Sequence, residues 1–403
     1  MASPRRSRAT GQVFNLTMKV GLISFHSFAN PGGVKRHILG LFKEFKKKGV
    51  DTKIIVPRRK ISENYGKNVI LLGTSFPLNF GGSQSDFDIH FNPISIERTL
   101  KKEEFDVLHF HNVGLPSSLQ IALSPSAFSA LHILTFHSNI KGSKFLQNFP
   151  SFFYLFGKLC QWQLDGVIGV SPLILEFFKD FKGVKKVIPN GIDLDKFNPN
   201  VPKIKKFDDG KTNILFIGRI EERKGLIYLI KAFKILENKF SNLRLIVVGK
   251  GPLEKECRDY VKQNKLKGVV FEGEKTKEVP SYYKTSDIFV SPAIFGESFG
   301  LVLLEAMACG TPVVAFSNKG YADFLKGKSA EKFMAKPKDY KALAKKIELL
   351  IKDQKLRKKM SEQGIREAKE YSWEKIAEEV IDFYELCHKN KLKKRKIKLS
   401  ILE

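Results

Sequence analysis

At 403 residues the chain exceeds what one hydrophobic core supports, since cores stop growing beyond about 250 to 300 residues, and two domains are expected. A hydrophobic share of 42% with 30 glycines and 17 prolines excludes a fibrous or disordered chain, while the four scattered cysteines, Cys160, Cys257, Cys309 and Cys387, exclude a disulfide framework or a CxxC zinc site and fit a reducing cytoplasm. The balance of 70 Lys and Arg against 42 Asp and Glu, +28 in all, favours anionic partners and says nothing of fold; lysine enrichment across a whole proteome would produce the same excess.

Residues 1–17 carry arginines without the apolar run of a secretory signal and read as a disordered leader, so the first ordered element begins near Met18. No later stretch approaches the roughly 20 apolar residues of a membrane span. "KVGLISF" (19–25) reads as a strand, followed by a loop ending in "NPGGV" and by "VKRHILGLFKEFKKKG", whose apolar spacing is helical. The pair Gly32 and Gly33 at that junction would let a phosphate approach the backbone closely, although a tight turn would use the same residues. "DTKIIVP", "FDVLHFH", "LHILTFH" and "DGVIGVS" continue the series as short strands separated by crossover-length segments, the pattern of a parallel sheet covered on both faces.

Between these strands, 59–100 reads as variable loops, with "DFD" (86–88) an accident of an inserted loop. His109 and His111 share one face at spacing i, i+2, yet no third ligand is spaced to join them, and no metal is expected. His137 ends a strand on the side where ligands sit in such sheets. The aromatic and lysine-rich stretch 139–162 has the composition of an interfacial helix, or of a core helix with a basic rim.

"VIPNGIDLDKFNPNVP" marks a boundary, giving an amino-terminal domain over 18–188 and a second over 189–372. The second series of strands is "TNILFIG", "LRLIVVG", "GVVFEG", "DIFVSP" and "PVVAF". Arg219 follows a glycine at the first strand's end, and Arg223 and Lys224 stand where the next helix opens, a setting that suits a phosphate group or a solvated basic loop. After "DIFVSP", Glu297 occupies a strand-end loop and the amides of Ser298, Phe299 and Gly300 open the next helix, with Glu305 further along it. A cap and a lysine-paired carboxylate are the plain alternatives. A helix over 373–390 is expected to cross back to the first domain, leaving 391–403 as a basic, solvated tail.

Together "PGGV", "PNGID", "GRIEERKG", "VVGKGP" and the E-x7-E spacing from Glu297 to Glu305 resemble the retaining glycosyltransferases of family 4, over roughly 18–388. Within it, "HSFANPGGVKRHILGL", "DVLHFH", "LTFHSN" and "GESFGLVLLEAMA" are most similar to the phosphatidylinositol mannosyltransferases. The resemblance implies an α/β GT-B fold, two doubly wound Rossmann-like domains facing across a cleft, and a nucleotide-sugar donor bound without a metal or other cofactor. It implies that Arg219 and Lys224, with Arg223 beside them, meet the diphosphate, as do Gly32 and Gly33. By the same resemblance Glu297 holds sugar hydroxyls, Glu305 the ribose, His137 lies near the reacting carbon, and Glu274 and Lys275 meet the base through backbone groups.

With the positive charge, this reading makes the chain a cytoplasmic enzyme, peripheral on an anionic membrane surface, that transfers mannose from GDP-mannose to a lipid such as phosphatidylinositol. Nucleic acid is not an expected partner. A transferase using a UDP-sugar on a glycolipid or surface polysaccharide is the alternative, and a non-catalytic basic membrane- or nucleic-acid-binding protein is the alternative from another class. The sequence departs from the family after "PVVAFSNKG", where a Gly-rich turn is replaced by "YADFLKGK", a change expected to alter only a surface loop.

Overall fold

The computed structural model describes residues 18–29, 32–80, 83–112, 116–137, 158 and 162–400, without side-chain detail at 77–80, 83–86 and 394–400. The chain divides into two compact units, one made of residues up to Gly191 together with Trp373 onward, the other of Ile192–Ser372. The leader and most of the 139–162 stretch lie outside the described residues.

In the first unit the elements run β1 (Lys19–Ser24), α1 (Gly33–Lys47), β2 (Asp51–Arg58), β3 (Val69–Phe80), β4 (Ser83–Ile89), α2 (Pro93–Glu103), β5 (Val107–His111), α3 (Ser117–Ala122), β6 (Leu131–Phe136), β7 (Gly166–Gly169), α4 (Pro172–Leu175) and β8 (Val184–Val187). The sheet order is β4-β3-β2-β1-β5-β6-β7-β8, with every pairing parallel except β3 with β4. Strand order reverses direction between β1 and β5, so the loop after β1 and the end of β5 flank a switch point, where α/β sheets bind ligands.

The segment read as variable loops contains the long antiparallel hairpin β3–β4, and "DFD" is part of β4 rather than of an inserted loop. Asp88 is buried there and accepts a hydrogen bond from the Ser117 hydroxyl, which gives that carboxylate a structural use.

The second unit contains β9 (Thr212–Ile217), α5 (Leu226–Glu237), β10 (Leu243–Val248), α6 (Glu254–Gln263), β11 (Val269–Gly273), α7 (Val279–Thr285), β12 (Ile288–Ser291), α8 (Leu301–Ala308), β13 (Val313–Phe316), α9 (Lys319–Leu325), β14 (Met334–Ala335), α10 (Tyr340–Lys352) and α11 (Gln354–Lys369). Its all-parallel sheet runs β11-β10-β9-β12-β13-β14, the doubly wound order, with the switch point between β9 and β12. Strands β9, β10, β12 and β13 are apolar and buried along nearly their whole length because helices cover both faces.

The last helix, α12 (Trp373–Ser400), belongs to the first unit. Ile376, Ala377, Val380, Phe383, Tyr384 and Cys387 line its inner face and share one core with Val20 and Leu22 of β1 and Ile38, Leu41 and Phe45 of α1. The expected basic tail is helical through Ser400: leucine, isoleucine and lysine continue the helix without a glycine or proline to end it. Lys391 anchors that extension through Nζ, which lies 2.8 Å from Asp165 Oδ2 and donates to the Ala130 carbonyl at 2.7 Å.

Candidate functional site

In the second unit, β9 ends at Ile217 and the chain turns through Gly218 into "RIEERKG", a short 3-10 turn over Glu222–Lys224 capped by Gly225. Gly225 has φ +66, and a Cβ there would lie 2.1 Å from the Pro292 carbonyl oxygen, so only glycine allows this loop to rest on the loop after β12. A backbone hydrogen bond from Ile294 N to the Arg223 carbonyl, 2.8 Å, joins the two loops at the same place.

This packing carries the cations to Glu297. Its Oε1 accepts from Lys224 Nζ at 2.6 Å and from Arg223 Nη1 at 3.2 Å. Arg223 Nε is also 2.5 Å from Glu221 Oε1, while Arg219, half exposed, has its Nε 3.6 Å from Glu221 Oε2. The result is a switch-point cluster in which three cations face two carboxylates, only partly desolvated, with donors already oriented for oxygen ligands.

The loop that presents Glu297 is held from behind by α9. Asn318 accepts from Tyr321 N at 3.1 Å and donates its Nδ2 to the Ala293 carbonyl at 2.9 Å, while Tyr321 Oη and Ser291 Oγ lie 2.8 Å apart. A Cβ on Gly320 would fall 2.2 Å from the Glu297 carbonyl oxygen. Burial, followed by the charge of Glu297, pushes the Tyr321 phenol well above its ordinary range, so it remains a neutral hydrogen-bonding group. The substitution expected to alter only a surface loop therefore begins at a fully buried tyrosine that braces the Glu297 loop. The Asx cap at Asn318, visible in "SNKGY", is the signal that would have found this support.

The remaining residues singled out in this unit are more dispersed. Ser298, Phe299 and Gly300 precede α8, whose first residue is Leu301, and Gly300 sits at φ 114. The Phe299 ring packs against Phe324 and Tyr371. Glu297 and Glu305 are not on one continuous helix, because α8 starts between them. Glu305 is buried, and its Oε2 accepts from Tyr283 Oη at 3.1 Å. Exposed Glu274 and half-buried Lys275 follow β11.

In the first unit, Gly32 is the extended residue before α1 and Gly33 its first residue, and a Cβ on either would meet no atom of the described residues within 4 Å. The ends of β5 and β6 bring histidines together. His109 is fully engaged, with Nδ1 2.6 Å from Tyr384 Oη and Nε2 2.6 Å from Thr135 Oγ1. His111 turns instead to His137, with 3.4 Å between Nδ1 of the first and Nε2 of the second, and His137 N donates to Asn112 Oδ1 at 2.7 Å. The i, i+2 pair is thus split between different partners. His37, from α1, joins His111 and His137 with ring centroids 5.2 and 4.6 Å away, and its Nδ1 lies 3.0 Å from Asn190 Oδ1. Nothing in the spacing of "VKRH" announces that meeting. Burial, ahead of the repulsion among these rings, holds His109, His111 and His137 well below the ordinary imidazole range, and burial lowers His37 to about 4, so the cluster is neutral near pH 7.

Comparison with known proteins places the chain in a family. Residues 31–196 match the profile described as Glycosyltransferase Family 4, and 197–367 match Glycosyl transferases group 1. The chain is 30% identical to an uncharacterized glycosyltransferase of Methanocaldococcus jannaschii, with 92% of this chain and 99% of that one covered. It is 29% identical to the phosphatidyl-myo-inositol mannosyltransferase of Mycobacterium leprae, over 91% of this chain and 96% of the relative. Among solved structures, sucrose-phosphate synthase from Thermosynechococcus elongatus superposes with a TM-score of 0.68 at 20% identity, covering 93% of this chain and 100% of that one, and Anabaena HepE in complex with UDP and glucose gives 0.69 at 18%, covering 91% and 99%. These likenesses establish the fold as GT-B. The chain belongs to the family 4 glycosyltransferases and is a transferase enzyme.

Proposed function

We propose that this chain transfers mannose from GDP-mannose, with retention of anomeric configuration and without a metal, to a lipid acceptor of the phosphatidylinositol class. The observation that carries this reading is the run of relatives named phosphatidyl-myo-inositol mannosyltransferase, 27–29% identical over 91–94% of this chain. Breaking a glycosyl-phosphate bond builds negative charge on the departing diphosphate, and fixed cations there lower the barrier. Arg219, Arg223 and Lys224 are the groups proposed for that task. When the diphosphate takes Lys224 and Arg223, the Glu297 carboxylate they hold becomes available to sugar hydroxyls.

The open backbone at Gly32 and Gly33 suits a phosphate, and His137 offers a neutral imidazole to the sugar. Ser298, Phe299 and Gly300 would donate backbone amides, Glu274 and Lys275 backbone groups to the base, and Glu305 a ribose contact additional to its Tyr283 bond. No described helix is long and apolar enough to cross a membrane, and the +28 charge supports electrostatic docking on an anionic lipid surface from the cytoplasmic side.

Thermal unfolding in EDTA with GDP, UDP, GDP-mannose and UDP-glucose tests the donor; a ligand at 100 times its Kd adds about 2.7 kcal/mol of stability. A shift confined to guanine nucleotides, followed by radiolabel transfer from GDP-mannose into phosphatidylinositol vesicles, is the expected result. A shift confined to uracil nucleotides would replace the donor assignment with a UDP-sugar, and no shift with any of these nucleotides would overturn the GDP-mannose assignment.

A further inference from the structure

We propose that His37, His111 and His137 form a three-imidazole site for a borderline divalent transition-metal ion, Zn2+ foremost. One ligand-capable nitrogen from each ring lies within 4.8 Å of the other two. Two nitrogens bound to one tetrahedral zinc at 2.0–2.1 Å stand about 3.3 Å apart, and His111 Nδ1 and His137 Nε2 are already separated by 3.4 Å. Closing the widest permitted gap to that spacing takes a movement of about 1.4 Å, the difference between 4.8 and 3.4 Å, within reach of a side-chain rotation.

The hydrogen-bond pattern points the same way. Among the described residues His37 Nε2 is buried without a hydrogen-bond partner, an expense that native interiors rarely leave uncompensated. Asn190 Oδ1 accepts from His37 Nδ1, which fixes the proton there and leaves Nε2 as a lone pair, the arrangement that orients a metal-ligating histidine. Among the described residues the set is imidazole alone, a donor set that favours Zn2+, Cu2+ or Ni2+ over Mg2+ or Ca2+. His137 is half-buried, and a fourth, non-histidine ligand would complete a tetrahedral site.

The ion is no participant in glycosyl transfer as proposed above. It would take the His137 lone pair and so inhibit, a consequence that rests on the proposed role of His137, whereas binding itself does not.

The test is a titration of the EDTA-stripped, dialysed full chain with Co2+ at pH 7.5, read by visible absorption, then displacement by Zn2+. One equivalent producing the intense bands of four- or five-coordinate cobalt, bleached by Zn2+, is the expected result. His137→Ala and His37→Gln should each weaken Zn2+ binding by at least about 100-fold, and Asn190→Ala, which keeps all three rings, by about 10- to 100-fold. His388→Gln, on α12, should leave binding unchanged. Folding of each variant is checked by its thermal transition, and Asn190→Ala with His137→Ala keep the test decisive if His37→Gln does not fold. Absence of cobalt bands, or Zn2+ affinity that follows His388 or the cysteines and is unaffected by His137→Ala and Asn190→Ala, would overturn the site.

Discussion

Lys224 Nζ lies 2.6 Å from Glu297 Oε1, a contact across 73 residues of sequence that binds the loop after β9 to the loop after β12 at the switch point of the sheet. Both side chains are largely buried and have given up much of their water, and Arg223 Nη1 shares the same carboxylate oxygen. In the proposed reaction this one contact would supply both an anion-binding position and a hydroxyl-binding position.

Removal of either member should therefore affect activity more than fold. Lys224→Ala and Glu297→Gln are expected to lower kcat by about 10² to 10³, the usual consequence of deleting one preorganised charge-stabilising group. Their effects should be less than multiplicative in the double variant because the residues are in contact. Steady-state transfer assays on the two single variants and the double variant decide it; wild-type turnover in either single variant would remove the cluster from the reaction.

Gly225→Ala should be damaging although it adds only a methyl group. The residue is at φ +66, and the new Cβ would meet the Pro292 carbonyl at 2.1 Å, so either the Arg223–Lys224 turn or the 292–297 loop must move. We expect a stability loss of about 1–3 kcal/mol in urea unfolding together with weaker nucleotide binding. Retention of both stability and nucleotide affinity would mean that the two loops are not mechanically joined.

These relationships differ in how far the sequence exposes them. "GRIEERKG" and "GESFG" advertise a glycine turn with charges at strand ends, and the apolar runs before them reveal the parallel sheet, because buried strands and tight turns are determined by nearby residues. The brace from Asn318 and Tyr321 is harder to see: the cap is local, but its hydrogen bonds reach Ala293 and Ser291 across the sheet. The meeting of His37 with His111 and His137 depends on how α1 lies over two strand ends, a matter of tertiary packing with no periodic trace. Hairpin β3–β4 escaped for a different reason, since its glycines, proline and polar residues resemble a loop until the two strands pair.

Association with lipid is expected to be electrostatic. Vesicles containing phosphatidylinositol should bind the +28 chain at low ionic strength, and sedimentation should show most binding lost as salt is raised from 0.1 M to 1 M, where the screening length falls from about 10 Å to about 3 Å. Binding that persists undiminished at 1 M would require apolar insertion to dominate.

Acid should destabilise the first unit before its carboxylates titrate. Burial lowers His37 and His90 to about 4, and His109, His111 and His137 lie well below their ordinary value of 6.5. Between those folded values and 6.5 the unfolded chain binds protons that the folded chain refuses, so stability is complete above about pH 6.5 and declines as pH falls toward 4, by up to about 1.4 kcal/mol per pH unit for each histidine. Carboxylates such as Glu103, whose burial would raise its pKa but which Lys19 and Lys53 hold below the usual range, weaken the fold only at lower pH. The transition temperature should accordingly be flat from pH 8 to 7 and fall steadily from 6.5 to 5, and His90→Gln, outside the three-histidine cluster, should make that fall shallower. A transition temperature constant down to pH 5 would mean that the buried imidazoles accept protons in the folded state, contrary to their desolvated placement.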